Sequence, residues 1–100
     1  MPENIESKAC DVFRLYPIKR AAFFGSAARG DITDASDIDI IVEFLPDTRG
    51  IVFFGLHMDL EEVFSRRVDL ITYDALYTES KPSFRENVLR DARVIYEREN

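Results

Sequence analysis

The stretch "IKRAAFFGSAARGDITDASDIDIIVEF", Ile18 to Phe44, decides the fold. "IKRAAFF", Ile18–Phe24, is a short apolar run between two breakers, Pro17 and Gly25, which favours a buried strand. "DIDIIVEF", Asp37–Phe44, is rich in β-branched residues and bounded by Ser36 and Pro46, and reads as a second strand. Between them Gly25 makes a turn. Ala27 and Ala28 then fit a single helical turn with Ser26 as its N-cap. Two strands are thus joined through a tight turn, a brief helix and a loop that carries Asp31 and Asp34.

Apolar residues at Ile5, Ala9, Val12, Phe13 and Leu15 fall close to helical spacing, and Pro17 ends that helix. Downstream, "GIVFFGLHMDLEEVFSRR" places Val52, Phe53, Leu56, Leu60, Val63 and Phe64 on one helical face, with acids concentrated on the other. "RVDLITY", Arg67–Tyr73, is a third strand. "PSFRENVLRDA" opens with Pro82, which a first helical turn tolerates, and spaces Phe84, Val88 and Leu89 as a helix does. "RVIYE", Arg93–Glu97, fits either an edge strand or the end of that helix. The order predicts a small sheet of three or four strands flanked by helices, an α/β or α+β sandwich.

At 100 residues the chain has the size of one domain, residues 1–100, with little room for a second lobe. A net charge of −6 argues against direct, backbone-tracking nucleic acid binding, which needs clustered Lys and Arg. A polyphosphate remains a suitable ligand if a divalent metal supplies the positive charge. The single cysteine, Cys10, excludes an internal disulfide framework and a Cys-based zinc site. Neither a signal-peptide pattern nor an apolar run long enough to span a membrane is present, so a cytoplasmic protein without a membrane role is expected.

Residues i and i+2 of a strand share a face, so Asp37 and Asp39 project side by side while Ile38 and Ile40 enter the opposite layer. Two neighbouring carboxylates repel unless a cation lies between them, and an all-oxygen donor set suits Mg²⁺ or Mn²⁺ better than zinc. Upstream, "FFGSAA" runs a strand into a glycine turn and a helix start. That arrangement turns backbone N–H groups and the Ser26 hydroxyl toward an anion. A phosphate cradle beside a metal site is what phosphoryl or nucleotidyl transfer requires. An EF-hand fails, because no glycine falls at the sixth position counted from Asp31 or Asp34.

The pattern "GS", ten residues, then D-x-D resembles the signature of minimal nucleotidyltransferases (MNT) of the DNA polymerase beta superfamily. That group carries a third carboxylate on the next strand, and Asp69 in "RRVDLITY" stands in its place. The resemblance implies that Gly25 and Ser26 hold the triphosphate of ATP. It implies that Asp37 and Asp39 ligate two Mg²⁺ ions. It implies that Asp69 ligates the ion nearer the acceptor and assists deprotonation of the acceptor hydroxyl. Arg29 and Gly30 match a frequent "RG" of the group, with Arg29 reaching a phosphate or pairing with Asp31 or Asp34. Stand-alone proteins of this size resemble the antitoxin of HEPN/MNT toxin–antitoxin modules, implied to transfer AMP from ATP to a tyrosine of the partner HEPN ribonuclease. Two alternatives remain open: a small-molecule nucleotidyltransferase completed by a separate helical subunit, and an antitoxin that acts by binding alone.

Among weaker features, His57 is expected at the surface or half-buried, and Cys10 in the core. Arg66 and Arg67 are expected to compensate the helix dipole or to meet phosphate or an acidic partner.

Overall fold

A computed structural model describes residues 5–99. Nine elements follow in order: α1 (Ile5–Phe13), β1 (Ile18–Phe24), α2 (Gly25–Arg29), β2 (Ile38–Phe44), α3 (Ile51–Phe64), β3 (Val68–Thr72), α4 (Tyr73–Glu79), α5 (Pro82–Asp91) and β4 (Arg93–Glu97). The four strands form one mixed sheet in the order β3-β2-β1-β4. β1 pairs antiparallel with both β2 and β4, whereas β2 and β3 run parallel and are connected through α3. "RVIYE" is therefore the edge strand, settling the alternative left open by its sequence.

Strand parity separates the two faces. On one, Ala21 and Phe23 of β1, Ile38, Ile40 and Val42 of β2, and Val68 and Leu70 of β3 pack against Ala9 and Phe13 of α1 and Leu56 and Leu60 of α3. On the other, Ala22, Phe24 and Ile41 meet Tyr73 and Leu76 of α4 and Val88 of α5, a much smaller cluster. The sheet is thus thickly covered on one side and thinly on the other. Asp39 and Asp69 share parity with the thinly covered face.

Several boundaries differ from the sequence expectation. α1 stops at Phe13, and Leu15 beyond it is 79% exposed. α3 stops at Phe64 because Ser65 adopts a left-handed conformation (φ 54°) and donates its N–H to Glu62 O, closing the helix before Arg66. Of its expected core face only Leu56 and Leu60 are buried, while Val63 lies at the surface. The third strand ends at Thr72, whose hydroxyl accepts the N–H of Ala75 at 3.0 Å and starts α4, a helix the sequence reading did not contain. Tyr73 then packs beneath the Arg20 guanidinium, 4.0 Å from its ring centroid, joining α4 to the sheet.

Candidate functional site

Three adjacent strands bring the motif together. Phe24 at the end of β1 is opposite Asp39 of β2, and Asp39 is opposite Asp69 of β3 in parallel register. Neighbouring strands lie about 4.8 Å apart, so residues in register on one face place their carboxylates side by side. Asp37 lies one residue before β2 begins and is exposed. The half-buried Asp39 carboxyl is pushed up from 3.8 to about 6, chiefly by burial and then by the negative charges of Asp69 and Asp37; Arg29 acts in the opposite direction.

Gly25 follows Phe24 directly with φ +61°, and a Cβ there would overlap the Asp39 Oδ2 atom. Only glycine meets both conditions, a left-handed backbone and a carboxylate pressed against it. The chain enters α2 at this residue. The helix N-cap is accordingly Phe24 and not Ser26, and no side chain caps it. Ser26 instead sits within the first turn, where its carbonyl receives the N–H of Gly30 and Asp31 and its hydroxyl is free of capping duty.

Arg29, half exposed, pairs with Asp31 at 3.4 Å and with Asp91 of α5 at 3.3 Å. Asp34, its other expected partner, lies instead 3.9 Å from Arg66. Arg29 lines a concavity of about 500 Å³ together with Gly25 and Asp39, whose opposite wall is Phe84, Asn87, Val88 and Asp91 of α5. That wall was absent from the sequence reading. A larger concavity, about 840 Å³, lies at the other end of β2 around Phe44, Phe53 and Phe54 and contains none of the motif residues.

Three side chains, two on α3 and one just beyond its end, fix the backbone that carries the aspartates. Arg66 donates one nitrogen to Thr33 O (3.1 Å) and Ser36 O (3.2 Å), holding the loop that leads into Asp37. Glu61 accepts the N–H of Val68 at 2.9 Å, and His57 Nε2 lies 2.8 Å from Val68 O, so both anchor the residue preceding Asp69. These loop contacts of Arg66 are a role the sequence reading did not anticipate. The sequence held no signal for these contacts, because a residue just past a helix that bonds a loop 30 or 33 positions away leaves no periodic trace.

Among the described residues, no three His, Cys, Asp or Glu side chains converge closely enough to enclose a metal by themselves. The chemistry of the donor set suits magnesium, which takes one or two carboxylates and completes its octahedron with water and substrate phosphate oxygens. The donors are carboxylates only, their charges crowd one another, and the missing Cβ of Gly25 leaves Asp39 Oδ2 against the open turn.

The family described as Polymerase beta, Nucleotidyltransferase matches residues 7–100, and the chain belongs to it. A Methanocaldococcus jannaschii protein provisionally named a protein adenylyltransferase is 34% identical over 89 residues, 89% of this chain and 91% of that one. Protein adenylyltransferase MntA of Thermococcus cleftensis is 32% identical, covering 81% of this chain and 76% of its own. Among solved structures, a Shewanella oneidensis MNT antitoxin in complex with its tri-AMPylated HEPN toxin shares the fold at a TM-score of 0.69 and 19% identity, over 98% of this chain and 74% of that one. A toxin–antitoxin structure with AMP-PNP reaches 0.72 at 22% identity, over 93% and 73%. The fold is that of a minimal nucleotidyltransferase.

Proposed function

We propose that this nucleotidyltransferase transfers AMP from ATP to a tyrosine of a helical HEPN-type ribonuclease partner and thereby neutralises it as an antitoxin. The observation that carries the reading is the register Phe24–Asp39–Asp69, which brings the glycine turn and two carboxylates to one end of the thinly covered sheet face. In this reading Gly25 admits the triphosphate against the backbone, Ser26 donates its hydroxyl to it, and Arg29 releases Asp91 to pair with a phosphate oxygen. Asp37, Asp39 and Asp69 hold two Mg²⁺ ions, which when bound neutralise phosphate charge and make the acceptor oxygen more nucleophilic. Asp69, on the strand edge farthest from the glycine turn, faces the acceptor and receives the hydroxyl proton. The tyrosine oxygen forms a bond to the α-phosphorus, the bond from that phosphorus to the bridging oxygen breaks, and pyrophosphate leaves. The relatives named as protein adenylyltransferases support AMP as the transferred group, and the toxin complexes support a protein acceptor. A net charge of −6 suits a protein acceptor better than a nucleic acid backbone.

The test is incubation with labelled ATP, Mg²⁺ and the product of the neighbouring reading frame. Label on a partner tyrosine, absent with Asp39→Ala, is expected. Label only on an added small molecule supports a small-molecule transferase, and neutralisation without label supports binding alone.

A further inference from the structure

Helix α3 carries a second apolar stripe that the core does not use. Ile51, Phe54 and Met58, at i, i+3 and i+7, are 72%, 65% and 68% exposed. Tyr16, whose hydroxyl bonds Asp59, borders the stripe on one side next to the fully protruding Leu15. On the other side Phe54, set edge-on against Phe53, opens into the 840 Å³ groove, where the exposed acids Asp74 and Glu79 of α4 form the rim and Arg49 is its single lining cation. Contiguous apolar surface of this kind marks an interaction site. Three anchors at helical spacing beside a groove suit an opposing amphipathic helix.

We infer that this stripe and groove dock the partner protein through a helix that presents apolar residues flanked by Lys and Arg. The inference deepens the function proposed above and rests on there being a helical protein partner. Charge selects the occupant. A second copy of this chain would bring its own net charge of −6 and its own acidic rim against Asp74 and Glu79, whereas a basic helix meets them with opposite sign. Position matters as well: Phe44 in the groove is five residues along β2 from Asp39, roughly 16 Å at strand rise. A partner seated there leaves the 500 Å³ concavity open, so docking and group transfer occupy different ends of the same strand.

Calorimetric titration of the product of the neighbouring reading frame into this chain and four variants of it tests the inference. The double variant Phe54→Asp/Met58→Asp is expected to weaken binding roughly thirtyfold or more. Asp74→Lys/Glu79→Lys is expected to weaken it and flatten its salt dependence. Phe54→Leu/Met58→Leu and Asp39→Asn should bind as the parent does, which separates lost docking from misfolding and from lost catalysis. Unchanged binding by Phe54→Asp/Met58→Asp overturns the inference, as does no binding by the parent chain, or self-association of the parent that this double variant abolishes. Label transfer followed in the same samples keeps the two claims apart: binding without transfer sinks the enzymatic reading and leaves the docking surface standing.

Discussion

Asp39 is held where ionisation is unfavourable: half-buried, in register with Asp69, two residues from Asp37 and pressed against a glycine. Its carboxyl is pushed up to about 6, against 3.8 for the free group. With the native pKa the higher one, the metal-free fold binds the proton more tightly than the unfolded chain. This contribution to stability is full below pH 3.8 and is lost as pH rises through about 6. Asp39→Asn should therefore stabilise the metal-free protein at pH 7, by no more than about 1 kcal/mol because solvent screens this half-exposed carboxyl, while abolishing transfer, as thermal melts with and without Mg²⁺ will show. Added Mg²⁺ should raise the melting temperature of the parent and leave the variant nearly unmoved. Gly25→Ala forces a Cβ into a left-handed backbone and into Asp39 Oδ2. It should cost about 2 kcal/mol or more in denaturant unfolding and remove activity. These residues were legible in the sequence because strand parity and a glycine before a short helix are local properties. The pairing of Arg29 with Asp91 was not legible, since it joins positions 62 apart through the packing of α5 on the turn.

At the scale of elements, α3 and the turn that follows it position the site without entering it. Arg66 ties the loop before Asp37, and Glu61 with His57 ties the start of β3 before Asp69. Arg66→Ala should change unfolding free energy by about 1 kcal/mol, yet raise the Mg²⁺ concentration needed for half-maximal activity severalfold, because the loop no longer fixes Asp37. Arg66→Lys should restore this only in part, since a single ammonium lacks the second terminal nitrogen that lies 3.9 Å from Asp34 while the first bonds both carbonyls. A magnesium requirement unchanged in Arg66→Ala would remove this role. α4 was hidden for a related reason. Tyr73 continues the apolar, β-prone run of "VDLIT", and only the Thr72 side chain, accepting from Ala75, tells the backbone to turn. Thr72→Ala should cost about 1 kcal/mol, read from urea midpoints. β4 was ambiguous because its residues alternate weakly and are mostly exposed, and its pairing with β1 is a long-range fact.

The whole molecule is asymmetric: α1 and α3 bury one sheet face thickly, while α4 and α5 cover the other thinly and leave the carboxylates at an open end. Strand order placed Asp69 beside Asp39 only because α3 carries the chain over to a parallel neighbour, which the sequence suggests through a strand–helix–strand run but does not pair residue by residue. With a net charge of −6, the fold gathers negative charge at its site, so nucleotide binding should depend steeply on the divalent cation. The central claim is AMP transfer to a partner tyrosine by this carboxylate cluster. Intact-mass and peptide mass spectrometry of the helical partner, after incubation with ATP and Mg²⁺, tests it most directly. AMP adducts on tyrosine are expected with the parent chain and none with Asp39→Asn or Asp69→Asn. An unmodified partner that nevertheless forms the complex, or equal modification by Asp39→Asn, would contradict it.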